Sequence, residues 1–277
     1  MAEDLSVPRA RPAERARERR RVHLRKFALA YAVLAILALG AVGGLVWALG
    51  LDREEKRAWS SWQPTAEGEA RLWEIADRVG AQYVDSQGRP IVQLLAAPPY
   101  VQVPTDQGLQ RIQVDGVIVK GRASDRSDAR AGVFRDGSAF MYVLCSTGGN
   151  CDLTTEQNGD PNLGLVLQRE ILELALYTFK YDPAVEQLLF FLPPFRTRNE
   201  KNEVQRIETV VYLEREDVAV ALGRPLDETL ASSAGQTLSE SEVNAVVGTV
   251  RTRLFTFDVE QAPQGLTILT LERYSGE

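Results

Sequence analysis

The sequence predicts a single N-terminal transmembrane helix followed by an α+β extracytoplasmic domain with a largely antiparallel or mixed sheet. Three observations carry that expectation. Residues 27–49, FALAYAVLAILALGAVGGLVWAL, run for 23 positions without a charge. As a helix they would be about 34 Å long, enough to cross a hydrocarbon core of roughly 30 Å with some tilt. Charge is divided across this stretch: residues 1–26 hold nine Arg or Lys against four acids, a net of +5, whereas the whole chain carries −6, leaving −11 for the remainder. Downstream, strands come in closely spaced pairs interrupted by a few helices, and no regular β-α-β alternation is present.

The domain plan follows from these: a disordered basic cytoplasmic tail over 1–26, the span over 27–49, a juxtamembrane stalk over 50–64, and a folded domain over 65–277, with a subdivision near residue 160 as an option. The tail is Arg-rich and poor in large apolar residues, which argues against an independent core. Its basic charge abuts the span, and only Arg53, Lys56 and Arg57 follow on the other side, offset by Asp52, Glu54 and Glu55. The positive-inside rule therefore places the N-terminus in the cytoplasm and the large domain outside the plasma membrane. A cleaved signal peptide would have a shorter apolar region of about 7–15 residues, so the length favours an uncleaved anchor.

Within the span, Gly40 and Gly44 form a G-x-x-x-G pair, with Ala48 one turn further on. Small residues at this spacing let two helices approach closely, making the pair the candidate transmembrane contact and a route to a helix-mediated oligomer. Trp47, Trp59 and Trp62 fit the interfacial belt, where an indole keeps its ring half-buried and its N–H wet.

The domain opens with a helix over 66–82, Thr65 as its N-cap and Leu72, Ile75, Ala76 and Val79 at helical spacing. A turn at 85–88 leads to a strand over 91–95, stopped by Pro98 and Pro99. Strand character resumes at 109–119, with Asp115-Gly116 marking a tight hairpin or a bulge. Residues 132–144 read as a hairpin around Asp136-Gly137, which supplies the positive φ values a two-residue turn needs. Residues 161–180 give the strongest soluble helix, apolar over most of its circumference, so it should lie deep in the domain. Arg169, Glu170, Glu173, Tyr177 and Lys180 form its one polar stripe. Strands follow at 185–192 and 204–213, then a short helix at 216–222 and a low-complexity linker over 223–239. Ser239-Glu-Ser-Glu242 has capping-box character ahead of a helix to about residue 250. A hairpin over 254–271 closes the chain.

The chemistry is marked by what the sequence lacks. His23, in the tail, is the only histidine. The exported part therefore cannot build a Ser-His-Asp or Cys-His triad, or a His-ligated zinc site. Gly148-Gly149 follows a strand but has no G-K-[ST] element beside it. Asp125, Asp128 and Asp136 lack the spacing of a calcium loop. No catalytic residue, cofactor or metal site is assigned. Glu170 and Glu173, one turn apart, are the remaining acid–base option; the favoured reading makes them part of a solvated stripe with an Arg169–Glu173 pair at i, i+4.

Cys145 and Cys151 are the only cysteines. Both fall on the oxidising side of the expected topology, and the residues between them are flexible enough to allow a disulfide. Closing so short a loop should stabilise by about 2 kcal/mol on the chain-entropy account. The acidic domain argues against nucleic acid as a partner; the expected partners are the lipid bilayer and a membrane or cell-envelope protein. The leading functional expectation is thus a membrane-anchored extracytoplasmic binding or scaffold domain, not an enzyme. A ligand-binding or sensory ectodomain is the alternative, and a carboxylate-dependent envelope hydrolase ranks last.

Overall fold

The computed structural model describes residues 58–85, 87–105, 108–120, 130–135, 137–146, 161–198, 202–231 and 238–274. The chain divides into two units, Met1–Arg57 and Ala58–Glu277. The span over 27–49, with Gly40 and Gly44, lies outside the described residues, as do Cys151, Asp125, Asp128 and Asp136. Among the described residues no helix is long and apolar enough to cross a membrane.

In chain order the elements are α1 (Glu69–Gly80), β1 (Val92–Ala97), β2 (Tyr100–Thr105), β3 (Gly108–Gln113), β4 (Gly116–Val119), β5 (Arg130–Val133), β6 (Ala139–Ser146) and α2 (Pro161–Tyr181). There follow β7 (Gln187–Phe191), β8 (Phe195–Arg198), β9 (Val204–Ile207), β10 (Thr209–Glu214) and a 3-10 turn over Arg215–Val218. The short helices α3 (Ala219–Leu222) and α4 (Leu226–Thr229), then α5 (Glu240–Thr249), β11 (Leu254–Gln261) and β12 (Thr267–Arg273), complete the unit. Eight strands form one sheet in the order β1-β6-β7-β10-β11-β12-β4-β5. It is mixed: β6–β7 and β12–β4 are parallel, and the other pairings are antiparallel. Two ribbons, β2–β3 and β8–β9, stand apart from it.

The central strands are buried on both faces, which their alternation makes explicit. Phe140, Tyr142, Leu144, Leu188, Phe190, Val211 and Leu213 face a helical core with α1, α2 and α5. Met141, Leu189, Val210 and Tyr212 face the opposite way, into a second core with Val117, Phe255, Leu269 and Leu271. Among the described residues no helix belongs to that second core; the sheet curls to cover it, together with Val101 of the β2–β3 ribbon. In a flat sheet β5 would lie four strands from β10, roughly 19 Å away. Instead, a Cβ placed on Gly132 of β5 would meet Tyr212 Oη of β10 at 3.1 Å and Gln187 Nε2 of β7 at 3.2 Å. Arg130 Nη1 likewise lies 3.7 Å from Glu214 Oε2.

Several expectations hold with small shifts. α2 spans its predicted range, β7 ends before Pro193, and Ser239 caps α5 through the Glu242 N–H at 3.3 Å. The final hairpin forms as β11–β12. Others need correction. The segment around Asp136-Gly137 is not a paired hairpin: β5 pairs with β4, while β6 pairs with β1 and β7. A turn residue pair specifies a reversal of the chain, but not which strand each arm joins. Asp115-Gly116 is a corner, where the chain leaves the β2–β3 ribbon for the main sheet. Asp115 Oδ2 accepts from the Thr267 N–H at 2.7 Å there, and its carbonyl accepts from the Phe134 N–H at 2.8 Å. The strand expected over 204–213 breaks at Glu208 into β9 and β10, which lie in different sheets. Thr65 is not an N-cap, since α1 starts after Gly68 (φ 57°). The Ala66 N–H, the Thr65 N–H and the Thr65 hydroxyl instead donate to the Glu74 carboxylate and hold it below the usual range.

Residues 58–64, expected as stalk, pack onto α2. Trp59 and Trp62 meet Tyr177 edge-on at 5.4 and 5.3 Å, and Tyr181 Oη donates to the Trp62 carbonyl at 3.1 Å. Both indoles are therefore occupied within the folded unit, and the reading of them as a membrane belt gives way to packing.

The curled sheet leads to a graded prediction. A Cβ at Gly116 would sit 2.5 Å from the Gly132 carbonyl, a backbone atom that cannot rotate away. Gly116→Ala should cost about 3 kcal/mol or more, and Gly132→Ala, which meets mostly side-chain ends, about 1–2 kcal/mol. Urea unfolding checks the order; equal or negligible losses would contradict the close β4–β5 packing at Gly116 and the approach of β5 to β7 and β10 at Gly132.

Candidate functional site

The long helix α2 carries the unit's most concentrated chemistry, and that chemistry is inside. Arg169 is 4% exposed, Glu170 0%, Glu173 5% and Glu242 of α5 1%. The predicted i, i+4 pair is present, with Arg169 Nη1 3.1 Å from Glu173 Oε2. Its expected surroundings are not: the stripe is buried, and only Lys180 among its members is exposed. A helix enclosed on all sides must take its polar residues inward with it, so the partners come from other segments.

Those partners are three. Arg169 Nε donates to Glu242 Oε1 at 2.9 Å. Arg169 Nη1 also donates to Tyr83 Oη, just beyond α1, and its guanidinium lies 5.5 Å from the centre of the Tyr83 ring. Tyr83 Oη in turn donates to Glu173 Oε2 at 2.7 Å, and Gln82 Nε2 donates to Glu173 Oε1 at 3.4 Å. One guanidinium thereby joins α2, the end of α1 and α5. Burial works against the Arg169 charge, and Tyr83, Glu173 and Glu242 outweigh it, so its pKa rises. Burial, then the Glu173 charge, pushes the Tyr83 phenol well above its ordinary value, so Tyr83 serves as a neutral donor.

Glu170 differs from its neighbours. Neither of its carboxyl oxygens has a hydrogen-bond partner. Burial raises its pKa well above the carboxylate range, and the nearby Glu173 charge adds to the rise. A carboxyl in that setting favours its neutral form, because an ion there would be desolvated without compensation.

At the other end of α2 two more arginines complete the helix. Arg71 Nη1 donates to the Tyr181 carbonyl at 2.6 Å and lies 3.8 Å from Asp182. Arg215, just after β10, donates to the carbonyls of Phe179, Asp182 and Val185. The last carbonyls of a helix lack intrahelical partners, and cations there also oppose the helix dipole.

The arrangement restricts its chemistry. With Glu170 fully enclosed and Glu173 nearly so, a polysaccharide cannot reach this acid pair. Among the described residues no group of His, Cys, Asp and Glu is placed to hold a metal ion. Cys145, next to last in β6, lies opposite Gln93 of β1 and is buried; its expected partner Cys151 is outside the described residues. Sequence reasoning missed Tyr83, which sits in an unremarkable turn, and misassigned Glu242. The S-x-x-E pattern suggests a side chain folding back on its own N-cap, whereas it reaches Arg169. No family model, curated protein or solved structure matches the chain.

Tyr83→Phe removes the donor to Glu173 and an acceptor of Arg169 while keeping the ring. Because both lost bonds involve charged groups, a loss of about 1.5–3 kcal/mol in urea unfolding is expected. A change within about 0.5 kcal/mol would show that the hydroxyl does not hold the cluster.

Proposed function

We propose that the chain is a single-pass plasma-membrane protein whose folded unit lies on the extracytoplasmic side and binds a membrane or cell-envelope protein partner. The observation that carries this reading is the uncharged run over 27–49, with nine basic residues before it and a net acidic remainder after it. On this reading Cys145 and Cys151 meet an oxidising compartment and pair. The fate of the buried acids supports a binding role over an enzymatic one, since Glu173 of α2 and Glu242 of α5 are taken up by Arg169 inside the fold. Large apolar side chains open to a partner are available elsewhere: Val133 is 74% exposed, Val204 61% and Val220 82%.

The test uses the full chain expressed in membranes. It should resist alkaline extraction, and its cysteines should react with a membrane-impermeant maleimide from outside only after reduction. A photo-crosslinking residue at position 133, 204 or 220 should give a discrete protein adduct from at least one site. Extraction into the soluble fraction, or labelling of both cysteines without reductant, would overturn the topology. Absence of an adduct at all three positions would overturn the binding role.

A further inference from the structure

Glu170 has no assigned part in the reading above, yet its setting is the most unusual in the unit. It is 0% exposed and both its oxygens lack a hydrogen bond. The cation beside it in sequence is already engaged, since Arg169 contacts Glu173, Glu242 and Tyr83. We propose that Glu170 is a proton-operated latch: its protonated carboxyl lets α2 dock between α1 and α5, and its ionisation loosens that junction.

The groups around the junction support this. From the α1 side come Gln82 and Tyr83, neither of them cationic, while the Arg78 guanidinium is 5.9 Å from the centre of the Trp62 ring. From α5 comes Glu242; Glu240 of the same helix faces solvent. On α2 itself, Glu173 lies one turn away and raises the cost of a second negative charge. Lys180, Arg71, Arg215 and Asp182 cluster at the far end, and ten residues of helix put them about 15 Å along the axis. On the sheet side Tyr142 Oη is paired with Thr178 Oγ1 at 2.7 Å, and its burial keeps the phenol neutral. Among the described residues Glu173 and Glu242 share Arg169, and Glu170, near enough to Tyr83 for its charge to bear on that phenol, would add like charge where no solvent reaches.

The sign follows from linkage. A carboxyl whose folded pKa is raised keeps its proton in the folded state at pH values where the unfolded chain has lost it. Its contribution is fully present below the unfolded value of about 4.3 and is lost as pH rises towards the folded pKa, by up to a factor of ten in the folded-to-unfolded ratio per pH unit. The latch does not depend on which side of a membrane the unit occupies, so its failure and that of the proposed topology are separate.

The experiment compares the full-length protein in detergent with Glu170→Gln and Glu170→Met, which cannot ionise. Urea unfolding is followed from pH 4.5 to 8.5, with hydrogen exchange at each pH. The ratio of wild-type to variant folding constants should fall with pH, by up to about tenfold per unit. Amides of α5 and the first half of α2 should exchange faster in the wild type than in either variant at pH 8.5, and equally at pH 4.5. A ratio independent of pH would overturn the proposal. So would a falling ratio with unchanged exchange in both helices, because the proton would then bind without governing the junction.

Discussion

A single guanidinium, that of Arg169, joins three segments that are distant in sequence. It reaches Glu173 on its own helix, Tyr83 after α1 and Glu242 on α5. Apolar burial supplies most of the drive for α2 to enter the interior, through side chains such as Ile171, Leu172, Leu174 and Phe179, at about 1.5–3 kcal/mol for each large one. That drive is non-directional. Ionic hydrogen bonds are directional, and a buried pair left incomplete is costly, so a slip of α5 or α1 along α2 would expose the mismatch. In this account the cluster contributes register more than net stability.

The sheet obeys a related constraint. Its central strands are apolar on both faces, so both need covering, and the helices cover only one. The other is covered by the sheet's own far end, as β4 and β5 bend over β7 and β10, and by Val101 of the β2–β3 ribbon. Gly132 permits the approach because it presents no side chain at the contact with Tyr212 and Gln187, while Gly116 lets β5 lie close beside β4. The C-terminal end of α2 is then fixed by Arg71 and Arg215, so the helix is held by cations at that end, by the Arg169 cluster near its middle and by apolar contacts along its length.

What could be read in advance was local. The periodicity of α2, the Ser239 cap, the β11–β12 hairpin and the prolines after β1 and β7 each involve residues close in sequence, and each appears as expected. Pairing of distant segments was not legible. Asp136-Gly137 signals a reversal, but whether its arms pair with each other depends on β1, β4 and β7. The charged stripe on α2 looked solvated because Arg169, Glu170 and Glu173 are usually surface residues. The contrary indication was present in the same helix: apolar residues over most of its circumference leave little room for an exposed face. Tyr83 and Glu242, which resolve that conflict, lie about 90 and 70 residues away.

The most direct test of this account is a double-mutant cycle between Arg169 and Glu242 in the full-length protein. Arg169→Met, Glu242→Met and the double variant would be compared by urea unfolding at neutral pH. If the pair joins α2 to α5, each single change strands a buried charge, and the double variant should be more stable than the sum of the two by about 1–3 kcal/mol. Additivity within about 0.5 kcal/mol would contradict it, showing that the two residues do not interact across the junction.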